Sequence, residues 1–198
     1  MPVKKGLLSL ITIIALTLVI SSCGGIRYSR VTKGAGDFHP KSIGIIDVRA
    51  GGYPEAKGTT DEIATEVLSK KKWFSNVISE KKIRERMTSE DGVEDSVDEY
   101  LMKLEKVSYS DPELSRKIGE IYNIDALLVV TVDFWTYTTE GDDKVAKVGF
   151  SMDLVEAASG KIIWRAAHHK VKKYKIFKPD ISKLAKSVSK KMITQMPH

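Results

Sequence analysis

The sequence predicts an α/β fold of the α+β type, in which helices pack on a mixed, largely antiparallel sheet. Short β-rich runs alternate with helical patterns in the first half of the chain, whereas the second half carries three long strand patterns separated by turn residues. An amphipathic helical pattern follows the last strand. The predicted order of elements is β-α-β-α-α-α-β-β-β-α, within a single domain of residues 40–198.

The first three predicted elements are a strand, a helix and a short strand. Residues 42–48, SIGIIDV, form a β-rich run that a glycine-containing loop ends. Thr59 and Glu62 have the spacing of a capping box and predict a helix that starts at Thr59. This helix should end near Lys72. Residues 74–78 are aromatic or β-branched and predict the second strand.

Three helices are predicted next, at residues 79–87, at residues 95–106 and from Pro112 onwards. Proline is favoured at the first position of a helix, where its missing N–H costs nothing. Apolar residues recur at helical spacing through these segments: Ile83, Met87, Val97, Leu101, Leu104, Leu114, Ile118 and Ile121.

Three strands are predicted in the second half of the chain. Residues 125–137, DALLVVTVDFWTY, form a continuous β-branched run, which is typical of a strand covered on both faces. Residues 144–155 alternate between apolar and polar, and residues 161–174 follow after a serine-glycine turn. The three strands should form an antiparallel meander. The apolar stripe of the final helix is Ile181, Leu184, Val188 and Met192.

The first 22 residues have the pattern of a secretory signal peptide. Lys4 and Lys5 precede an uncharged apolar run at residues 6–20, and small residues close the segment. The run is shorter than the roughly 18 apolar residues expected of a spanning helix.

Cys23 is the only cysteine of the chain and directly follows this segment. Residues 20–23, ISSC, resemble the bacterial lipobox. The resemblance implies cleavage after Ser22, attachment of a diacylglycerol to the Cys23 thiol and acylation of the new amino terminus. An ordinary secreted protein with an idle cysteine, and an intermolecular disulfide, are the alternatives. In lipoproteins of enteric bacteria, an aspartate directly after the lipidated cysteine usually keeps the protein in the inner membrane. Gly24 occupies this position here, which favours anchoring in the outer membrane, facing the periplasm, if the organism is Gram-negative.

Residues 24–38, GGIRYSRVTKGAGDF, are rich in glycine and charge and lack periodicity. We therefore expect a lipidated, flexible tether over residues 23–39. The excess of lysine and arginine gives a net charge of +6, yet the lysines are spread along the chain, and an exported protein is not expected to bind nucleic acid. One dense group either faces anionic head groups or an acidic polymer, or is a solvated strand end: Lys170, Lys172, Lys173, Lys175 and Lys178.

The sequence nominates no catalytic or metal site. His168 and His169 are adjacent and should point to opposite faces of a strand, while His39 and His198 lie at the two ends of the domain. There is no nucleophile elbow and no phosphate-binding glycine loop. We predict a protein that is not an enzyme and uses no cofactor or metal.

Aromatic residues cluster at the end of the first long strand. Trp135 and Tyr137 should share one face and Phe134 the other. They either form a patch that binds a partner or cover the sheet beneath a packed helix.

Two longer stretches of the sequence resemble motifs of a known family. The stretch SRKIGEIYNIDALLVVTVDFW joins a helix to a buried strand through Asp125, and MDLVEAASGKIIWRAAHH joins two strands through a serine-glycine turn. Together they resemble the periplasmic domains related to the curli-secretion lipoprotein CsgG and the lipoprotein activators of penicillin-binding proteins. The positions that fill the second motif are Asp153, Ser159, Gly160, Ile162, Ile163 and Trp164.

The resemblance implies a lipid-anchored periplasmic interaction protein that binds or regulates a cell-envelope partner, such as a cell-wall synthase. The alternatives are a structural, oligomeric subunit of an outer-membrane secretion or transport apparatus and, third, an envelope hydrolase. The partner and the oligomeric state stay open at this point.

Overall fold

The computed structural model describes residues 26–33, 35–87 and 93–198. Its strands are β1 (Tyr28–Val31), β2 (Ser42–Arg49), β3 (Asn76–Ile78), β4 (Ala126–Glu140), β5 (Asp143–Glu156) and β6 (Ile162–Tyr174). Its helices are α1 (Ala56–Lys71), α2 (Glu80–Met87), α3 (Val93–Val107), α4 (Pro112–Tyr122) and α5 (Ile181–Ile193), with a short 3₁₀ turn at Ala35–Asp37.

The strands form one six-stranded sheet in the order β1-β6-β5-β4-β2-β3. Strand β2 is parallel to both β3 and β4, and all other neighbours are antiparallel. The prediction of a mixed, largely antiparallel sheet with helices packed on it is confirmed. None of the described helices is both long enough and apolar enough to cross a membrane.

Two apolar cores lie on the two faces of this sheet. Helices α1 and α5 pack on one face, which we call the α1/α5 face, and α2, α3 and α4 pack on the other. Ile45 and Ile46 enter different cores, as neighbouring residues of a strand do. The register between β2 and β4 shifts between Ile45 and Asp47, and after this bulge Val48 rather than Asp47 returns to the core that contains Ile45.

The expectation of a flexible tether up to residue 39 is wrong from Tyr28 onwards. Strand β1 pairs antiparallel with β6, from Tyr28 opposite Ala167 to Val31 opposite Trp164. All four of its side chains are exposed, and for this reason the segment lacks the alternation that marks a half-buried strand. The strand is held by its backbone at a sheet edge, and the sequence pattern does not report such pairing.

The predicted capping box of the first helix is also wrong. Helix α1 begins at Ala56, so Thr59 and Glu62 lie inside it. The buried carboxylate of Asp61 instead accepts a hydrogen bond of 2.8 Å from the backbone N–H of Glu80, at the start of α2. This carboxylate joins the two helices and complements the positive end of the α2 dipole.

The remaining boundaries agree closely with the sequence. Helix α4 begins at Pro112, and the side chain of Asp111 accepts hydrogen bonds from the N–H groups of Glu113 and Leu114. Strand β3, which corresponds to the second predicted strand, begins at Asn76 rather than at residue 74. Strand β4 is longer than predicted and runs to Glu140, one residue before the Gly141 turn.

Candidate interaction surface

Asp125 lies between α4 and β4, at the junction in the first of the two family motifs, and has a structural role. Its Oδ2 accepts hydrogen bonds from the backbone N–H groups of Lys41, at 2.8 Å, and Ser42, at 3.0 Å. The hydroxyl of Ser42 also donates to this oxygen and accepts from the Asp125 N–H. These bonds fix the beginnings of the parallel strands β2 and β4 against each other.

The turn and the tryptophan of the second motif are structural as well. Gly160 has a φ of +69°, and a Cβ at this position would lie 2.7 Å from the Cα of Pro112. Glycine therefore permits both the left-handed turn and the close approach of α4. The Trp164 side chain is fully buried, and its Nε1 donates a hydrogen bond of 2.9 Å to Ser29 on β1.

The aromatic residues of β4 divide between the two faces as the sequence predicts. Trp135 is buried in the α1/α5 core, so for this residue the interpretation as a cover under a helix is confirmed. Tyr137 is more exposed; its hydroxyl donates to the carbonyl of Pro179 and its ring meets Tyr174 edge-on. Phe134 lies on the opposite face.

That opposite face is only partly covered by helices. The β4 run up to Val130 is buried, as expected for a strand covered on both faces, but half-buried residues appear from Thr131 onwards. A bulge between Val132 and Phe134 shifts the register, so that Asp133 and Phe134 both lie beside Gly149 on the same side of the sheet. We call the following group of half-buried side chains on this side the open face: Asp133, Phe134, Lys147, Ser151, Asp153, Arg165, Ala167 and His169.

One hydrogen bond and one ion pair link polar groups of the open face. The hydroxyl of Ser151 donates to Asp133 Oδ2 at 2.8 Å, and Arg165 Nε lies 3.3 Å from Asp153 Oδ1. Burial raises the pKa of both carboxyls above their ordinary values, although Arg165 opposes the effect at Asp153. Each aspartate therefore carries a desolvation cost that its neighbours do not fully offset.

An aromatic and cationic group continues the open face towards β1. The rings of Phe134 and His169 meet edge-on with centroids 5.7 Å apart, and Lys147 Nζ lies 4.3 Å from the Phe134 centroid. Arg27 Nη1 lies 2.9 Å from His169 Nδ1. Desolvation lowers the pKa of His169, and the charge of Arg27 acts in the same direction. Aromatic residues and arginine are enriched at protein interfaces, and Phe134 and Arg27 bring both to this part of the surface.

The Asp133→Asn variant tests whether the open face carries a desolvation cost. The folded pKa of Asp133 lies above the unfolded one, so its stabilising contribution is complete below about pH 3.9 and is lost as the pH rises through the folded pKa. Asparagine keeps an acceptor for Ser151 and stays neutral. We expect urea unfolding of the variant to show a smaller loss of stability with rising pH, and at neutral pH a free energy of unfolding at least equal to wild type.

The matched control for this prediction is Ser151→Ala, which removes the hydrogen bond but keeps the charge. This variant should be less stable than wild type at neutral pH. An asparagine variant that is less stable at neutral pH, with an unchanged pH slope, would contradict the interpretation.

A second charged cluster lies where β2 ends. Asp47 and Glu80 are buried, and Lys57 and Arg84 form ion pairs with both of them. Arg49 adds a contact of 3.3 Å to Asp47. Because cations surround both carboxylates, the cluster joins β2, α1 and α2, and we assign it to the fold.

A groove of about 690 Å³ lies at the end of the sheet where β4 begins. Its charged lining includes Lys41, Arg116, Glu120 and Glu156, and also Asp125, whose Oδ2 already accepts the hydrogen bonds from β2. Glu156 accepts a hydrogen bond from the Ser159 hydroxyl, so that two of the groove carboxylates are engaged within the fold.

The histidines are distributed as follows. His168 lies on the α1/α5 face and His169 on the open face, as predicted, whereas the two terminal histidines meet: His39 Nδ1 is 3.2 Å from the carbonyl oxygen of His198. Within residues 26–33, 35–87 and 93–198, no group of three or more histidine, cysteine or acidic residues has the geometry to hold a metal ion. Cys23 and Ser22 lie outside the described residues.

Comparison with known proteins shows the fold. No family model matches the sequence, and no curated protein matches it. Among solved structures, a point variant of the PelC dodecamer from Paraburkholderia phytofirmans is 16% identical, with a TM-score of 0.56, and the match covers 86% of this chain and 97% of that one. A second PelC dodecamer from the same organism gives a TM-score of 0.54 at 16% identity, covering 84% and 94%.

Lipoprotein GNA1162 from Neisseria meningitidis has the same fold at a similar level. It is 17% identical with a TM-score of 0.52, and the match covers 79% of this chain and all of that one. The fold of this chain is thus also the fold of a bacterial lipoprotein. The CsgG part of the resemblance stays a prediction.

Proposed function

We propose that this protein is a non-enzymatic lipoprotein, anchored through Cys23 in the outer membrane and facing the periplasm, that binds an envelope protein through the open face. The observation that carries the proposal is the half-buried charge on this face. Asp133 and Asp153 have raised pKa values on a sheet surface that the described helices cover only in part. Groups that cost stability in this way are typical of functional sites.

The position of β1 supports a role close to the membrane. Tyr28, the start of β1, lies only a few positions after Cys23, and a chain of this length spans at most about 18 Å. An anchored sheet would therefore lie near the membrane surface, and the anchor would raise the effective concentration of the open face near a partner held in the same membrane. By the family resemblance, a cell-wall synthase is a suitable partner.

An oligomeric role is the alternative. PelC, which shares the fold, was solved as a dodecamer. In this alternative a second copy of the chain would cover the open face, and the protein would act as a subunit of a larger envelope assembly.

Site-specific photocrosslinking in the native envelope tests the proposal and separates the two roles. A photoreactive amino acid at Ala167, half-buried on β6, should give a defined adduct. The same amino acid at Glu62, exposed on α1 on the other side of the sheet, is the matched control and should not.

Mass spectrometry of the adduct decides between the outcomes. An adduct of Ala167 with another envelope protein supports the interaction role, whereas an adduct between two copies of the chain supports the oligomer. Equal labelling at Ala167 and Glu62, or none at Ala167, would contradict a role for the open face.

A further inference from the structure

The end of β4, the start of β5 and the end of β6 are exposed and lie together, next to an exposed loop. Lys144 on β5 lies opposite Tyr174, the last residue of β6, so the β4–β5 turn and the end of β6 occupy the same end of the sheet. The loop 175–178, KIFK, follows directly and we call it the tip loop. Its Ile176 and Phe177 are 82% and 86% exposed, more than any other large apolar side chain of the described residues.

The tip loop lies in a positively charged, lysine-rich part of the surface. Among the described residues, Lys172 and Lys175 form no ion pair, while Lys178 Nζ lies 4.9 Å from the Tyr137 ring. The acidic groups nearby are largely engaged: Glu140 pairs with Lys147, Asp143 with Lys173, and Asp180 caps α5, which leaves Asp142 in the turn. The two apolar side chains therefore stand among lysines whose charge exceeds that of their acidic neighbours.

The chain leads from β1 towards this same end. Strand β1 runs antiparallel to β6, so that going from Val31 back to Tyr28 corresponds to going from Trp164 forward to Ala167. The contact of Arg27 with His169 continues the direction. Cys23 then precedes Ile26 by only a short segment, which reaches at most about 10 Å.

We propose that the tip loop is a membrane-contact element: Ile176 and Phe177 enter the interface of the bilayer that holds the Cys23 anchor, and the surrounding lysines contact anionic head groups. Apolar side chains flanked by lysines suit this boundary, because the rings and methyl groups enter the acyl region while the ammonium groups stay at the head groups. The proposal rests on the lipid anchor of the proposed function. It adds a second contact with the membrane and thereby a fixed orientation of the domain.

Tryptophan fluorescence in vesicles tests the proposal on the full lipidated chain. The Phe177→Trp variant is reconstituted in vesicles of phosphatidylethanolamine and phosphatidylglycerol, with and without brominated acyl chains as quenchers. The matched control is Tyr109→Trp, which is 52% exposed and lies near Pro112, the residue that packs on the β5–β6 turn at the other end of the sheet. Wild type gives the background of the native tryptophans.

We expect a blue shift and strong quenching of the emission from Trp at position 177, and neither effect at position 109. Combining Phe177→Trp with Lys172→Gln and Lys175→Gln should reduce the quenching in phosphatidylglycerol vesicles. Both reporter positions are exposed, so circular dichroism of each variant should match wild type.

Two outcomes would overturn the tip-loop proposal. One is solvent-like, unquenched emission from position 177 in a lipidated sample. The other is a blue-shifted emission that the brominated acyl chains do not quench, which would assign the loop to a protein contact. Mass spectrometry of the Cys23 peptide from the same sample keeps the anchor separate. If the diacylglyceryl mass is absent, the proposal of a lipid anchor at Cys23 is wrong. Co-flotation of that unlipidated sample with the vesicles then still measures whether the tip loop binds the membrane.

Discussion

Replacing Trp164 with alanine is expected to lower the free energy of unfolding by about 3–5 kcal/mol. The indole is fully buried in the α1/α5 core, and Trp164 lies opposite Leu154 on β5 and Val31 on β1. Its removal leaves a cavity and also takes away the partner of the Ser29 hydroxyl. Urea unfolding followed by circular dichroism measures the loss, which is a large part of the roughly 5–15 kcal/mol that stabilises a typical domain.

Two milder variants keep this prediction testable if the alanine variant does not fold. Trp164→Phe retains most of the apolar volume and loses the N–H donor, whereas Ser29→Ala leaves the donor without its acceptor. Each should cost about 1–3 kcal/mol, and the double variant should cost less than the two single losses added together, because they remove the same hydrogen bond. Full additivity, or a loss under about 1 kcal/mol for Trp164→Ala, would show that Trp164 does not join β1 to the core.

Most of the sheet and helices could be predicted because their side-chain patterns reflect burial. The three long strands carry β-branched runs or alternation, and α5 carries a clear apolar stripe. Strand β1 could not be predicted, since its four side chains are exposed and its pairing with β6 is made by the backbone. The start of α1 could not be predicted for a different reason: Thr59 and Glu62 have the spacing of a capping box but lie inside the helix, and Glu55, which precedes the helix, makes no side-chain cap.

The open face lies beyond sequence reasoning for two physical reasons. Which part of a strand the helices cover depends on tertiary packing, so the run up to Tyr137 gave no sign that burial decreases after Val130. The bulge at Val132 then places Asp133 and Phe134 on one side, although strict alternation assigns them to opposite sides. The motif residues Asp125, Gly160 and Trp164 were visible in the sequence, and the structure gives them roles in the fold.

Cys23→Ser is expected to abolish incorporation of a palmitate analogue into the protein, because the resemblance to the lipobox assigns the acyl groups to this thiol and to the amino terminus that its processing creates. Two or more acyl chains make an anchor stable, and without them the membrane contact of the chain would depend on weaker surfaces. Ser21→Ala keeps a small residue in the same motif and should retain the label. Equal labelling of Cys23→Ser and wild type would contradict the assignment.

The short distance from Cys23 to β1 adds a sharper consequence. Inserting a flexible glycine-serine segment between Gly25 and Ile26 should leave the palmitate label unchanged but reduce the yield of the Ala167 crosslink. The effective concentration of the open face falls roughly as the −3/2 power of the linker length once the linker exceeds the required span. If the crosslink instead survives the insertion but is lost in Cys23→Ser, the anchor supplies only localisation. If both changes reduce it, the position of β1 close to the anchor is itself part of how the open face meets its partner.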